Sequence, residues 1–146
     1  SEANQFGEID FDNLNLEKGN YWNPIKSYGN TKLMKVIIAK ELGRLVQNDN
    51  ITTYSLHPGM ISTNINHLNN RYTTYLVNLL AMVFGITAEQ GAINTLYPIF
   101  SLENKETGKY YDEGIEKEPN KVANDQEVAK KLWDVSEKIL KDHGMI

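Results

Sequence analysis

The stretch "KVIIAKELGRLVQNDNITTYSLHPG", residues 35–59, decides the fold. Its first part continues an apolar repeat that begins just upstream. Leu33, Val36, Ile37, Lys40 and then Gly43 or Arg44 recur at a period near 3.6, so a helix is expected from 25 to about 47. Asn23-Pro24 supplies its entry, because proline suits the first helical turn. Lysine and arginine fall among the later turns, and "QNDN", 47–50, is a polar stop. "ITTYSLHPG", 51–59, is rich in β-branched and aromatic residues and reads as a short buried strand closed by Pro58-Gly59. Long helix, tight turn, strand and loop make one crossover of an α/β fold.

Working outward, residues 1–23 form a polar connection in which Ile9 and Phe11 alternate with Glu8, Asp10 and Asp12, a pattern for a short strand or an extended loop. Residues 76–84 are strongly apolar and read as a helix. "TAEQGAINTLYPIF", 87–100, opens with Thr87 and, three residues on, Gln90, the pattern of a capped helix start. "GKYYDEG", 108–114, reads as a second short strand or ribbon. The last segment is an amphipathic helix with Val128, Leu132, Val135 and Ile139 on one stripe and Gly144 beyond it. About four helices thus face only two convincing strands. A parallel sheet needs several strands covered on both faces, so the sequence reads as the second half of a larger α/β domain, with residues 1–146 as one domain fragment.

The bulk composition narrows the function classes. The 146 residues are 40% hydrophobic and 23% charged with a net charge of -4, a globular balance without a basic block to neutralise phosphates, so no nucleic-acid partner is expected. There are no cysteines, which excludes disulfides, thiolate nucleophiles and cysteine-ligated zinc. The opening "SEANQFGEID" has neither a basic start nor an apolar run, and the apolar stretch 75–86 is shorter than the roughly 20 residues a bilayer requires. A cytoplasmic chain is expected. No metal site is expected either: His57, His67 and His143 lack ligand spacing, and Glu8, Asp10 and Asp12 lack the glycine and closing glutamate of a calcium loop. Asn50-Ile51-Thr52 matches a glycosylation sequon by pattern only.

Within the expected helix, "SYGNTK", 27–32, sets Tyr28 and Lys32 four residues apart, on one face and one turn from each other. A free phenol has a pKa near 10, too high for proton transfer at neutral pH, and a neighbouring ammonium lowers it by favouring the phenolate. Such a pair could protonate a carbonyl oxygen or deprotonate an alcohol. By itself the spacing is common on helix surfaces. Its context is informative: the Pro-Gly loop follows a parallel strand, at the sheet edge where open α/β folds bind ligands.

With these landmarks in order, the chain resembles the short-chain dehydrogenase/reductase family, on its retinol-dehydrogenase-like branch. "YGNTK" (28–32), "HPGMIST" (57–63), "TAEQGA" (87–92), "TGKYYD" (107–112) and "LWDVSEKIL" (132–140) carry the resemblance over most of the chain. It implies the C-terminal part of a Rossmann-type doubly wound parallel sheet. It implies that Tyr28 is the general acid/base and that Lys32 tunes it and binds the nicotinamide ribose. Pro58, Gly59, Met60 and Ile61 match the loop lying against the nicotinamide, and Thr63 matches a hydroxyl on the cofactor. Ser1 is the candidate for the serine that orients the substrate oxygen. The implied cofactor is NADP or NAD, with NADP preferred.

The family's glycine-rich turn, which seats the pyrophosphate, has no counterpart in this chain, nor has the residue that chooses NAD or NADP. The chain is therefore expected to hold the proton-transfer half of the site and, alone, to bind cofactor weakly or not at all. The apolar 75–86 segment falls where family members carry a lid, which implies a lipophilic carbonyl or alcohol such as a retinoid or steroid. A core helix and contact with a membrane surface remain open readings of the same segment. A helix-mediated homodimer is a further expectation by analogy. The competing reading is a non-catalytic interaction or dimerisation module derived from such an enzyme.

Overall fold

A computed structural model describes residues 1–18, 23–61, 85–101 and 106–146. The long helix forms as its sequence dictates. Helix α1 runs Pro24–Leu45, with Pro24 in its first turn and the Asn23 side-chain oxygen accepting from the Lys26 N–H at 3.1 Å. Leu33, Val36 and Ile37 are buried on its inner stripe. The polar stop is a short 3-10 turn, Gln47–Asp49, followed by Asn50 in the left-handed region at φ 56°.

Strand β1, Tyr54–His57, then pairs in parallel with β2, Lys109–Asp112, in the register Tyr54↔Lys109 to His57↔Asp112. Between them lies helix α2, Ala88–Phe100, whose Thr87 hydroxyl accepts from the Gln90 N–H at 3.1 Å, as the capping pattern requires. The chain reverses after β2 through Glu113 and Gly114, both at positive φ, into the two-residue antiparallel strand β3, Ile115–Glu116. A 3-10 turn, Lys121–Asn124, leads into α3, Gln126–Asp142, capped by Asp125.

Residues alternate between sheet faces. Tyr110 joins Leu33, Val36, Ile37, Ala123, Ala129 and Leu132 in one buried cluster, so α1 and α3 cover one face. Tyr111 points the other way, edge-on to Tyr54 with ring centroids 5.8 Å apart, and Tyr97 of α2 lies beside the Gly114 turn at the end of the same strand. Helix α2 therefore covers the opposite face. This is a mixed α/β arrangement on a small mixed sheet, compatible with part of a Rossmann-like fold.

One expectation changes. Among the described residues the sheet has three strands rather than two, because β3 is too short to leave an alternating pattern. Of the two readings open for the 8–12 segment, the loop is the one that forms. It follows a 3-10 helix, Glu2–Phe6, and turns at Asp10, whose carboxylate accepts from the Asp12 N–H, while Ile9 and Phe11 pack onto the core. The expected helix at 76–84 lies outside the described residues.

Residues 1–7 are tied down from two sides. Asn4 is fully buried: its side-chain NH2 donates to the Ser1 carbonyl at 3.0 Å and its oxygen accepts from the Asn120 N–H at 3.1 Å. The Asn120 side chain donates in turn to the Gly7 carbonyl at 3.0 Å. On the other side the segment crosses α1 at two glycines. A Cβ on Gly7 would come within 2.6 Å of the Gly29 carbonyl oxygen, and one on Gly29 within 2.9 Å of the Ala3 carbonyl oxygen. The absence of side chains at both positions is what allows the crossing.

Candidate active site

Helical spacing brings Tyr28 and Lys32 together as expected. The Lys32 ammonium sits over the Tyr28 ring, 4.8 Å from its centroid. Tyr28 is 51% exposed, whereas Lys32 is half-buried. Gly29 between them faces inward and carries the crossing of residues 1–7, which brings Ser1 to the carboxyl end of β1.

Ser1 itself is held by its backbone. Its amino group donates to the Leu56 carbonyl at 3.0 Å, on β1. Its hydroxyl accepts from the Ala3 N–H at 3.3 Å, capping the 3-10 helix, and keeps its own proton to donate.

The loop after β1 is fixed by α2 and the residues leading into it. The Asn94 side-chain NH2 donates to the Pro58 carbonyl at 3.0 Å, and the Asn94 side-chain oxygen accepts from Gln90 at 3.0 Å. Gly59 sits at φ 104°, and a Cβ there would lie 2.6 Å from Ile86 Cδ1. The Ile86 N–H donates to the Met60 carbonyl at 2.9 Å, Ile61 bridges Ile86 in parallel, and Gly91 leaves the space that the Ile61 side chain occupies. Met60 is 52% exposed. Thr63 lies outside the described residues.

A second group of titratable side chains lies at the ends of β1 and β2. His57, Asp112 and Glu113 offer ligand atoms all within 4.8 Å of one another. Three-residue metal grouping of this kind is invisible to sequence spacing, because His57 meets Asp112 only through the strand register. Lys117 already holds one Asp112 oxygen at 2.6 Å. The His57 imidazole is held below its ordinary value, first by burial and then by the Ser1 amino charge, against the pull of Asp112, Glu2 and Glu113. Burial, with the Asp112 charge adding, pushes the neighbouring Tyr110 phenol up to about 12, so Tyr110 stays a neutral core residue.

Asn94 and Gln90 were not singled out by sequence reasoning as parts of this site. The only signal was Gln90 in its capping position, which explains its backbone N–H but not its side chain.

No protein-family model matches the chain. The chain is 34% identical over 140 residues to retinol dehydrogenase 14 of Homo sapiens, covering 94% of this chain and 41% of that protein. It is 33% identical over 145 residues to human retinol dehydrogenase 13, covering 96% and 44% respectively. To the short-chain dehydrogenase/reductase drtF of Aspergillus calidoustus it is 32% identical over 152 residues, covering 94% and 46%. The chain thus spans less than half the length of these curated relatives. Sequence similarity along nearly the whole chain and the ordered landmarks of the site lead to one assignment: the chain belongs to the short-chain dehydrogenase/reductase family, on its retinol-dehydrogenase-like side.

Proposed function

We propose that the chain forms the catalytic and substrate-binding half of an NAD(P)-dependent oxidoreductase that interconverts a lipophilic carbonyl compound and its alcohol. What supports this reading is the Tyr28–Lys32 pair on α1, together with Ser1 seated on Leu56 of β1 and the Pro-Gly loop that follows that strand. The names of the relatives favour it over a non-catalytic interaction module.

The donor set suits a nicotinamide nucleotide, NADP or NAD. The ammonium of half-buried Lys32 can donate to ribose hydroxyls, and the glycine-bearing loop held by Asn94 and Ile86 offers backbone groups to a carboxamide. Thr63 is proposed to add a hydroxyl. When bound, the nicotinamide supplies or receives the hydride. Tyr28 gives its phenolic proton to the substrate oxygen during reduction and takes one back during oxidation. Lys32 stands over the Tyr28 ring, and the Ser1 hydroxyl donates to the same substrate oxygen. No helix among the described residues is long and apolar enough to cross a membrane. A lipophilic substrate would be met by the apolar 75–86 segment.

Replacing Tyr28 with Phe in the full-length protein removes the transferable proton and keeps the ring. Steady-state turnover is expected to fall by about 100-fold or more, with the circular dichroism spectrum unchanged. Near-normal turnover would remove Tyr28 from the reaction.

A further inference from the structure

We propose that Asn94 is a positioning residue that sets the orientation of the cofactor loop through the Pro58 carbonyl. The proposal rests on the oxidoreductase reading above and extends it to a residue outside the Tyr28–Lys32 pair and the loop itself.

Asn94 is only 7% exposed and is the one polar side chain among the three buried residues of α2, the others being Gly91 and Pro98. Its NH2 reaches 36 residues back to Pro58. The orientation of the amide is fixed by its partners. The Pro58 carbonyl can only accept, so it requires the NH2 side, and Gln90 donates to the oxygen side. Proline has no N–H of its own, so its carbonyl is the one backbone group by which this residue can be held.

The consequence follows from peptide geometry. The Pro58–Gly59 bond is planar and trans, so its C=O and N–H point in opposite directions. With the carbonyl drawn toward α2, the Gly59 N–H is aimed away from α2, across the sheet edge toward the side that carries α1. Gly59 at φ 104° then lets the chain turn back to Met60 and Ile61, which Ile86 and Gly91 hold in place. Asn94 is the one side chain among the described residues that hydrogen-bonds this loop, and it decides which way the loop presents its first donor.

Asn94→Asp tests this directly. The carboxylate keeps the shape and still accepts from Gln90, but presents no donor to Pro58. In the full-length enzyme the dinucleotide KM is expected to rise about tenfold, with kcat within about twofold. Exchange of the Ile86 amide, which donates to Met60, should quicken while that of Ile37 in the core does not. Leu132→Ala, which loosens the core elsewhere, should leave the dinucleotide KM unchanged. An unchanged KM in Asn94→Asp, or an equal rise in Leu132→Ala, overturns the proposal. Should Asn94→Asp fail to fold, Gln90→Ala frees the Asn94 amide to rotate: a KM rise of about threefold supports the proposal, and no rise overturns it. Loss of the oxidoreductase reading would show separately, as turnover retained by Tyr28→Phe, and the Ile86 exchange would still judge the anchor.

Discussion

His57 shows how a single residue links the site to stability. Its imidazole is held below 6.5 in the folded chain, chiefly by burial. Folding therefore favours the neutral form, and between the folded value and 6.5 the unfolded chain binds more protons. The stability that this residue contributes is complete above that window and declines as pH falls through it. Urea unfolding of the wild type and His57→Gln, compared from about pH 7.5 down to about pH 5, should show the wild type losing ground relative to the variant at the acid end. A difference that does not change with pH would remove burial of His57 as the cause. The same residue marks the limit of what sequence could show. Tyr28 and Lys32 were legible because a helix brings i and i+4 together by itself. His57 with Asp112, and Asn94 with Pro58, meet only through strand register and a long crossover, so nothing in their spacing announced them.

At the scale of the element, boundaries were readable wherever a local device sets them. Asn23-Pro24 opened α1 and Thr87 opened α2 because a cap is a contact within one turn. The β2–β3 hairpin was only half readable, since the Gly114 turn is visible while β3 has two residues and no pattern to count. That turn also carries a local conflict. Glu113 stands at φ 53° beside Gly114 at φ 83°, the type I′ geometry that Asn-Gly fits better than Glu-Gly. Glu113→Asn is expected to stabilise the chain by about 0.5 kcal/mol, read as a higher Tm. A lower Tm would mean that the Glu113 side chain, beside His57 and Asp112, matters more to the fold than its backbone strain.

At the scale of the molecule, the strand deficit seen in the sequence matches the small sheet observed and the short span of the relatives that the chain covers. What sequence did not show is how the sheet divides the site. The Tyr28–Lys32 pair is carried by α1, beside the Gly29 crossing. The Pro58 carbonyl is held by α2, at Asn94. Among the described residues the two meet at the sheet edge. A partition of this kind makes the two halves energetically independent. Gly29→Ala, which forces a methyl against the Ala3 carbonyl, should cost about 1–2 kcal/mol in unfolding experiments. Combined with Asn94→Asp, the two costs should add to within about 0.5 kcal/mol, and a larger coupling would mean that strain crosses the strands. If they add, the Gly29 crossing and the Pro58 anchor can each be altered, by selection or by design, without renegotiating the other.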